Sequence, residues 1–186
     1  MTDDEPLTSG VPSDVSEAKQ NEILAGIGGT LIIVQMAEKI LQFCMTYVLQ
    51  REGGLSLESL RAQTAEEAKK TLGYFLSELR KRADLEPQFD EKLKDFLAMR
   101  NQFVHNLSAV DGLGFHTLEG ISIAEAFIGK LSGLAQYVHN VFLGLARAWQ
   151  EQIGLEDIFA DNEFFAEIDA RYKPLVDGLF SRKEPS

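Results

Sequence analysis

Between Ser16 and Leu49 the apolar positions fall into two helical rows. Ile27, Leu31, Val34, Leu41, Met45 and Val48 recur at spacings of three, four or seven, the period of a helix surface. Ile33, Met36, Ile40, Phe43 and Tyr47 form a second row, which predicts a central helix contacted on two sides. Gly26, Gly28 and Gly29 lie within or just before it, where they permit close approach of a neighbour or mark a kink. Gly53-Gly54 offers a left-handed cap at its end. Thr64 followed by Glu67 is a capping-box pattern and predicts a second helix from about Ala65 to Ala83, burying Ala68, Leu72, Phe75, Leu76 and Leu79. Pro87 suits the first turn of a third helix, running to about His105. Asp111 to Gly120 contains three glycines and is predicted as a loop. Helical spacing returns from Ile121 to Gln152 through Ile123, Phe127, Leu131, Leu134, Val138, Phe142, Leu145 and Trp149. A last helix is predicted over Asn162 to Tyr172, and Pro174 forces a break before a short tail helix.

No alternating run of four or more residues predicts a strand, and no internal repeat is visible. The expected fold is all-α, an antiparallel bundle of four main helices plus a C-terminal helical extension. Residues 1–15, rich in Asp, Ser, Gly and Pro, read as a flexible acidic lead. Residues 16–152 form the bundle, and 153–186 an acidic helical extension. At 186 residues and 45% apolar content, the chain has the material for a sizeable core, which argues against general disorder. The single cysteine, Cys44, excludes an internal disulfide framework and fits a reducing compartment. The acidic start lacks the basic and apolar blocks of a secretory signal. Gln35, Glu38 and Lys39 interrupt the most apolar region, leaving charge-free blocks shorter than the ~20 residues of a membrane span. A soluble, cytoplasmic protein is the expectation, with no membrane partner.

Charge complicates any reading that involves nucleic acid. The net charge is −11, whereas phosphate binding draws on Lys and Arg. The excess acid lies at the ends. Residues 1–22 hold six acids against one Lys, and 151–186 hold nine acids against four bases. The middle, 23–150, has fourteen acids and thirteen bases and is nearly neutral.

The third helix carries the candidate chemistry. Phe89, Leu93, Phe96, Leu97, Phe103, Val104 and Leu107 form an apolar stripe, and at roughly 100° per residue Arg100 falls in its middle. A permanently charged guanidinium on such a row needs a partner or a cleft. Asp90, Lys94, Asn101 and His105 make a polar row around the back, with Asn101 and His105 one turn apart.

The segment Arg100-Asn101-Gln102-Phe103-Val104-His105 resembles the Arg-polar-x-x-x-His motif of the HEPN superfamily. These are helical bundles of toxin–antitoxin, abortive-infection and CRISPR-associated systems. The likeness in sequence is confined to this hexad, while the architectural likeness extends over about Ser16 to Gln152. The resemblance implies metal-independent cleavage of RNA without a cofactor. The ribose 2′-OH attacks the adjacent phosphate and gives a cyclic phosphate and a free 5′-OH, which restricts the substrate to RNA. In that scheme His105 moves the proton. Arg100 clamps phosphate oxygens and offsets transition-state charge. Asn101 orients His105 or donates to phosphate. A toxin or defence role, with a cognate antitoxin or nucleotidyltransferase as partner, follows from the same resemblance.

On a straight helix Arg100 and His105 diverge by roughly 140°. Gathering them at one phosphate requires a distorted helix end or a second protomer. The family resemblance favours a two-fold homodimer with a composite site and adjacent third helices. The alternative is a non-catalytic interaction module. In it Arg100 snorkels to a carboxylate on a neighbouring helix, while Asn101 and His105 cap the helix end.

The remaining candidates carry less. His116 reads as an exposed loop residue and His139 as a structural hydrogen-bonder. Three histidines without a His-Glu-x-x-His pattern or a cysteine pair give no metal signature. Gly26-Ile27-Gly28-Gly29 fails the dinucleotide fingerprint, and Gly129-Lys130 lacks the rest of a phosphate loop. Cys44 reads as inert core. Lys69, Lys70, Arg80, Lys81 and Arg82 are diluted by Glu66, Glu67, Glu78 and Asp84, the pattern of a solvated face.

Overall fold

The computed structural model describes residues 15–49, 70–156 and 162–182. Each main helix opens on a side-chain cap, which supplies an acceptor to one of the free N–H groups of its first turn. Ser16 caps α1 (Glu17–Phe43), Thr71 caps α2 (Leu72–Arg82), and Glu86 caps α3 (Pro87–His105) just before Pro87. Thr117 caps α4 (Leu118–Gln152) and Asn162 caps α5 (Glu163–Arg171). The third helix has the bounds its sequence predicts. The second does not: Lys70 and Thr71 are non-helical and the cap is Thr71. The Thr64–Glu67 capping box, Ala68 and the Gly53-Gly54 cap lie outside the described residues.

The described chain is mostly helical and thus all-α in class. Two three-residue strands are added, β1 (Ala83–Leu85) and β2 (Phe180–Arg182), paired antiparallel with Ala83 opposite Arg182 and Leu85 opposite Phe180. No strand was expected there, because three residues are too few for an alternating pattern to register. The pairing returns the C-terminal segment to the end of α2. Along the way that segment passes through a 3₁₀ turn at Lys173–Leu175 and a short helix, α6 (Val176–Leu179). Ile168, Tyr172 and Val176 are buried in the same core as the long helices.

Helix directions are mixed. Lys19 pairs with Glu125 at 2.7 Å, Cys44 Sγ donates to the Phe142 carbonyl oxygen at 3.2 Å, and Phe43 stacks edge-on against Trp149. Early residues of α1 therefore meet early residues of α4, and late meet late, so the two run parallel. α3 runs against α4, with Phe89 beside Phe142 at its start, and against α2, with Arg80 bonded to Asp90. The uniformly antiparallel arrangement expected from the sequence is corrected in this respect. Hydrophobic periodicity says which face of a helix is buried but carries no direction.

The core runs along the α1–α4 seam and is sealed by α3. Val34, Ala37 and Leu41 of α1 and Cys44 and Met45 just after it are buried, as are Leu131, Ala135, Val138 and Phe142 of α4 and Phe89, Leu93 and Phe96 of α3. At the C-terminal end of α1 the helix widens into a π turn, Cys44–Val48. Arg82 Nη1 donates there to the carbonyl oxygens of Met45 and Leu49, at 2.7 and 2.8 Å, satisfying acceptors that a helix end leaves open.

The second apolar row of α1 is partly covered among the described residues: Ile33, Ile40 and Tyr47 are half-buried, the first two packed against the core, whereas Met36 is 49% and Phe43 37% exposed. Ile32, Leu31 and Leu24 are also exposed. By length and composition the stretch Glu17–Val48 is apolar enough to cross a membrane, and 22% of its most apolar window is buried.

Candidate functional site

The site is built where α3 crosses α1. Phe96 and Phe103 are buried on either side of Arg100 along α3, so packing drives this face inward and takes the guanidinium with it. The charge is met there by Glu38 of α1. Arg100 Nε donates to Glu38 Oε1 at 2.5 Å, with the two side chains 20% and 27% exposed. This charge-assisted contact answers the question of how an arginine sits on an apolar stripe.

The rest of the guanidinium points along the helix. Arg100 Nη1 donates to Asn101 Oδ1 at 3.0 Å and lies 3.5 Å from His105 Nε2. Among the described residues, no hydrogen-bond partner is found for Nη2 of Arg100. All three residues of the motif thus meet within one chain, on one helix. The divergence of roughly 140° is bridged because five residues advance only about 7.5 Å along the axis, a gap that the long Arg side chain spans. A guanidinium only donates, so a hydrogen bond to His105 at this 3.5 Å limit would need the lone pair on Nε2. Asn101 and His105 are both exposed. A neutral imidazole one turn from an amide can accept a proton from a hydroxyl, and the cation beside it can hold a nearby anion.

One reading of α3 is altered. Val104, expected in the apolar stripe, is 42% exposed and lies on the site's side of the helix. Glu38 was visible in the sequence only as an interruption of an apolar helix. That interruption was the signal available: an ionisable residue in an otherwise apolar row calls for a partner.

The other candidates occupy structural positions. His139 is buried with Nδ1 3.0 Å from Asn140 Oδ1, which also accepts from Gln136 Nε2 at 2.8 Å. His116 is exposed in the segment between α3 and α4. That segment is closed by Gly112 at φ +73 and by Gly120, where an added Cβ would meet the backbone of Gly114 at 2.8 Å. Cys44 is fully buried, and burial pushes its thiol well above the ordinary range. Lys81 pairs with Glu78, and Lys70 sits 4.9 Å over the Tyr74 ring. Asp90 takes bonds from Arg80 and Lys94 at 2.6 and 2.7 Å. Burial raises its carboxyl, but the hydrogen bonds and charges of those two cations outweigh it and hold the group below its ordinary value. Lys69 lies outside the described residues.

Among the described residues no three His, Cys, Asp or Glu side chains are grouped to hold a metal. A cavity of about 930 Å³ opens between the ends of α1 and α4 and the C-terminal segment, lined by Tyr47, Leu49, Trp149, Val176 and Phe180 among others. It shares no residue with the Arg100 site. Comparison of the chain with protein-family models, with curated proteins and with solved structures finds no match.

Proposed function

We propose that this chain is a metal-independent endoribonuclease of HEPN type, acting in the cytoplasm as a toxin or defence effector. One observation carries the reading: Arg100 Nη1 lies 3.5 Å from His105 Nε2, with Asn101 bonded to the same guanidinium nitrogen. In this scheme Nη2 of Arg100 holds a non-bridging oxygen of the phosphate. His105 Nε2 takes the proton of the ribose 2′-OH as that oxygen attacks phosphorus. The P–O5′ bond breaks, the 5′ oxygen takes a proton from water, and a 2′,3′-cyclic phosphate remains. The near-neutral stretch 23–150, which contains the site, suits RNA better than the acidic ends.

The four helices α1 to α4 are read as the bundle that carries the motif, with α3 as the catalytic helix. A homodimer is part of the proposal, with α3 near the two-fold axis; exposed Val104 and the outer apolar face of α1 support it. A cognate antitoxin or nucleotidyltransferase is the partner class that the resemblance adds. A soluble state is supported by Gln35, Glu38 and Lys39 in mid-helix and by the ion pair Glu38 makes.

Purified protein incubated with mixed RNA in EDTA, beside a His105→Ala control, tests the reading. Products ending in cyclic phosphate from the native chain alone are expected. Equal RNA loss in both samples would mean a contaminant and end the catalytic proposal.

A second reading has a specific observation behind it. The exposed apolar face of α1, Leu24, Leu31, Ile32, Met36 and Phe43, fits an interaction module in which Arg100 serves only to tie α3 to α1. It is separated from the first by the same assay. No cleavage on any RNA, together with loss of self-association in an Ile32→Lys variant, favours the module.

A further inference from the structure

We infer that Glu38 is a positioning residue for the Arg100–His105 pair, an inference that rests on the ribonuclease reading for its kinetic consequences. Arginine has a long, freely rotating stem, and on an exposed helix face it samples many rotamers. Here its Nε is fixed by Glu38 Oε1 at 2.5 Å from a different helix. Once Nε and its planar group are fixed, the directions of Nη1 and Nη2 follow, since the guanidinium is rigid. Nη1 then falls on Asn101 Oδ1 and toward His105 Nε2, and Nη2 is left for a phosphate oxygen. Glu38 thereby sets both the aim of the clamp and, through Nη1 directed at Nε2, the Nδ1–H tautomer of His105.

The geometry assigns this role to reach more than to charge. The carboxylate is placed to accept from Nε, while a negative group beside an RNA phosphate opposes binding. Two substitutions separate the effects. Glu38→Gln keeps the length and an acceptor oxygen but removes the charge. Glu38→Asp keeps the charge and withdraws the acceptor by one methylene. If Glu38 positions Arg100, Glu38→Gln holds kcat within about threefold of native and binds 2′-O-methyl RNA, which cannot be cut, as well or better. Glu38→Asp lowers kcat roughly ten- to a hundredfold, the scale of a misplaced catalytic group, with KM little changed. A role confined to tying α1 to α3 would lower the unfolding midpoint of both variants without changing kcat of the folded protein.

The nitrogen resonances of His105 and of the Arg100 Nε–H give a readout that needs no cleavage. The native chain and Glu38→Gln are expected to hold His105 as the Nδ1–H tautomer and to show a slowly exchanging Arg100 Nε–H. Glu38→Asp is expected to mix the tautomers and speed that exchange. Native signals and native kcat in Glu38→Asp, or a greater loss in Glu38→Gln than in Glu38→Asp, would overturn the inference. A native chain that shows the ordered Arg100 and His105 signals yet cuts no RNA sinks the ribonuclease reading and leaves the positioning role standing.

Discussion

Two arginines, Arg100 and Arg147, face the same physical problem and solve it differently. Each lies on a helix face that packs inward, and each meets a carboxylate from another helix at 2.5 Å. Arg147 of α4 gives both Nε and Nη2 to the two oxygens of Asp169 on α5, at 2.5 Å each, and stacks 5.0 Å over Phe165. Its side chain is 8% exposed. That two-pronged pair occupies the fork on the side a phosphate would use, so the group is a clasp holding the C-terminal segment to α4. Arg100 gives Glu38 only Nε, remains 20% exposed, and turns its other nitrogens toward Asn101, His105 and solvent. The lesson is that an arginine's role is read from which edge of the guanidinium is taken. A pair made through Nε alone orients the group and leaves it chemically available.

The contrast is broken most directly by removing each arginine. Arg100→Ala and His105→Ala are expected to lower RNA cleavage by roughly 10²- to 10⁴-fold. The His105 variant should unfold within about 0.5 kcal/mol of native, because an exposed side chain carries little stability. Initial rates on a defined RNA, with urea unfolding of the same preparations, check both halves. Cleavage retained in either variant would show that the pair does no chemistry. Arg147→Ala should do the reverse. It is expected to cost about 2–3 kcal/mol, somewhat less than stranding a fully buried charge because Asp169 remains 30% exposed. The rate per folded molecule should be unchanged. A stable Arg147→Ala protein with lost cleavage would erase the distinction drawn between the two arginines.

Much of this was legible before any coordinates. The bounds of α3 follow from Pro87 at one end and the motif at the other, and the buried faces of α2 and α4 follow from their spacing. The need of Arg100 for a partner was also legible from its place in an apolar stripe. Its partner was not, because Glu38 lies 62 positions away and periodicity within a helix carries no information about which helix it faces. The parallel run of α1 and α4 was hidden for the same reason. The exposure of Met36 and Phe43 was hidden by surplus: α1 has more apolar residues than its neighbours among the described residues cover, and an exposed position reads the same as a buried one. β1 and β2 exist through a pairing across most of the chain and have no local signature.

A smaller effect sharpens the comparison from the side of pH. Asp90, held below its ordinary value by Lys94 and Arg80 against the opposing effect of burial, has a folded-state value lower than its unfolded one. Its contribution to stability is therefore present above the ordinary carboxylate range, near pH 4, and is lost as pH falls through the lower folded-state value. Asp90→Asn should cost about 1 kcal/mol near neutrality, since Lys94 is 63% exposed while Arg80 is half-buried. The difference from native should vanish in acid. Urea unfolding from pH 7 down to pH 3 measures this. A gap that widens in acid would reverse the sign of the linkage. Like Arg147, Arg80 here serves the fold, so cleavage near neutrality should not follow the Asp90 substitution.

The smallest expected effect is none at all, and it bears on the dimer. Arg100 and His105 of one chain are already in contact at 3.5 Å, so each protomer supplies its own pair even if two sites face each other across a two-fold axis. Mixing an Arg100→Ala protomer with a His105→Ala protomer should then restore no cleavage, because every pair in the mixed dimer lacks one member. Were the working pair formed across the interface, one of the two sites in a heterodimer would be complete, and part of the native rate would return. The assay needs proof of exchange, which tagged subunits that co-purify after mixing provide. Recovery of activity in such heterodimers would mean that Arg100 of one chain serves His105 of the other. Its contact within the chain would then be a resting arrangement, and the single-edged pair with Glu38 would have to open before RNA is cut. No recovery, with exchange demonstrated, keeps the site within one chain.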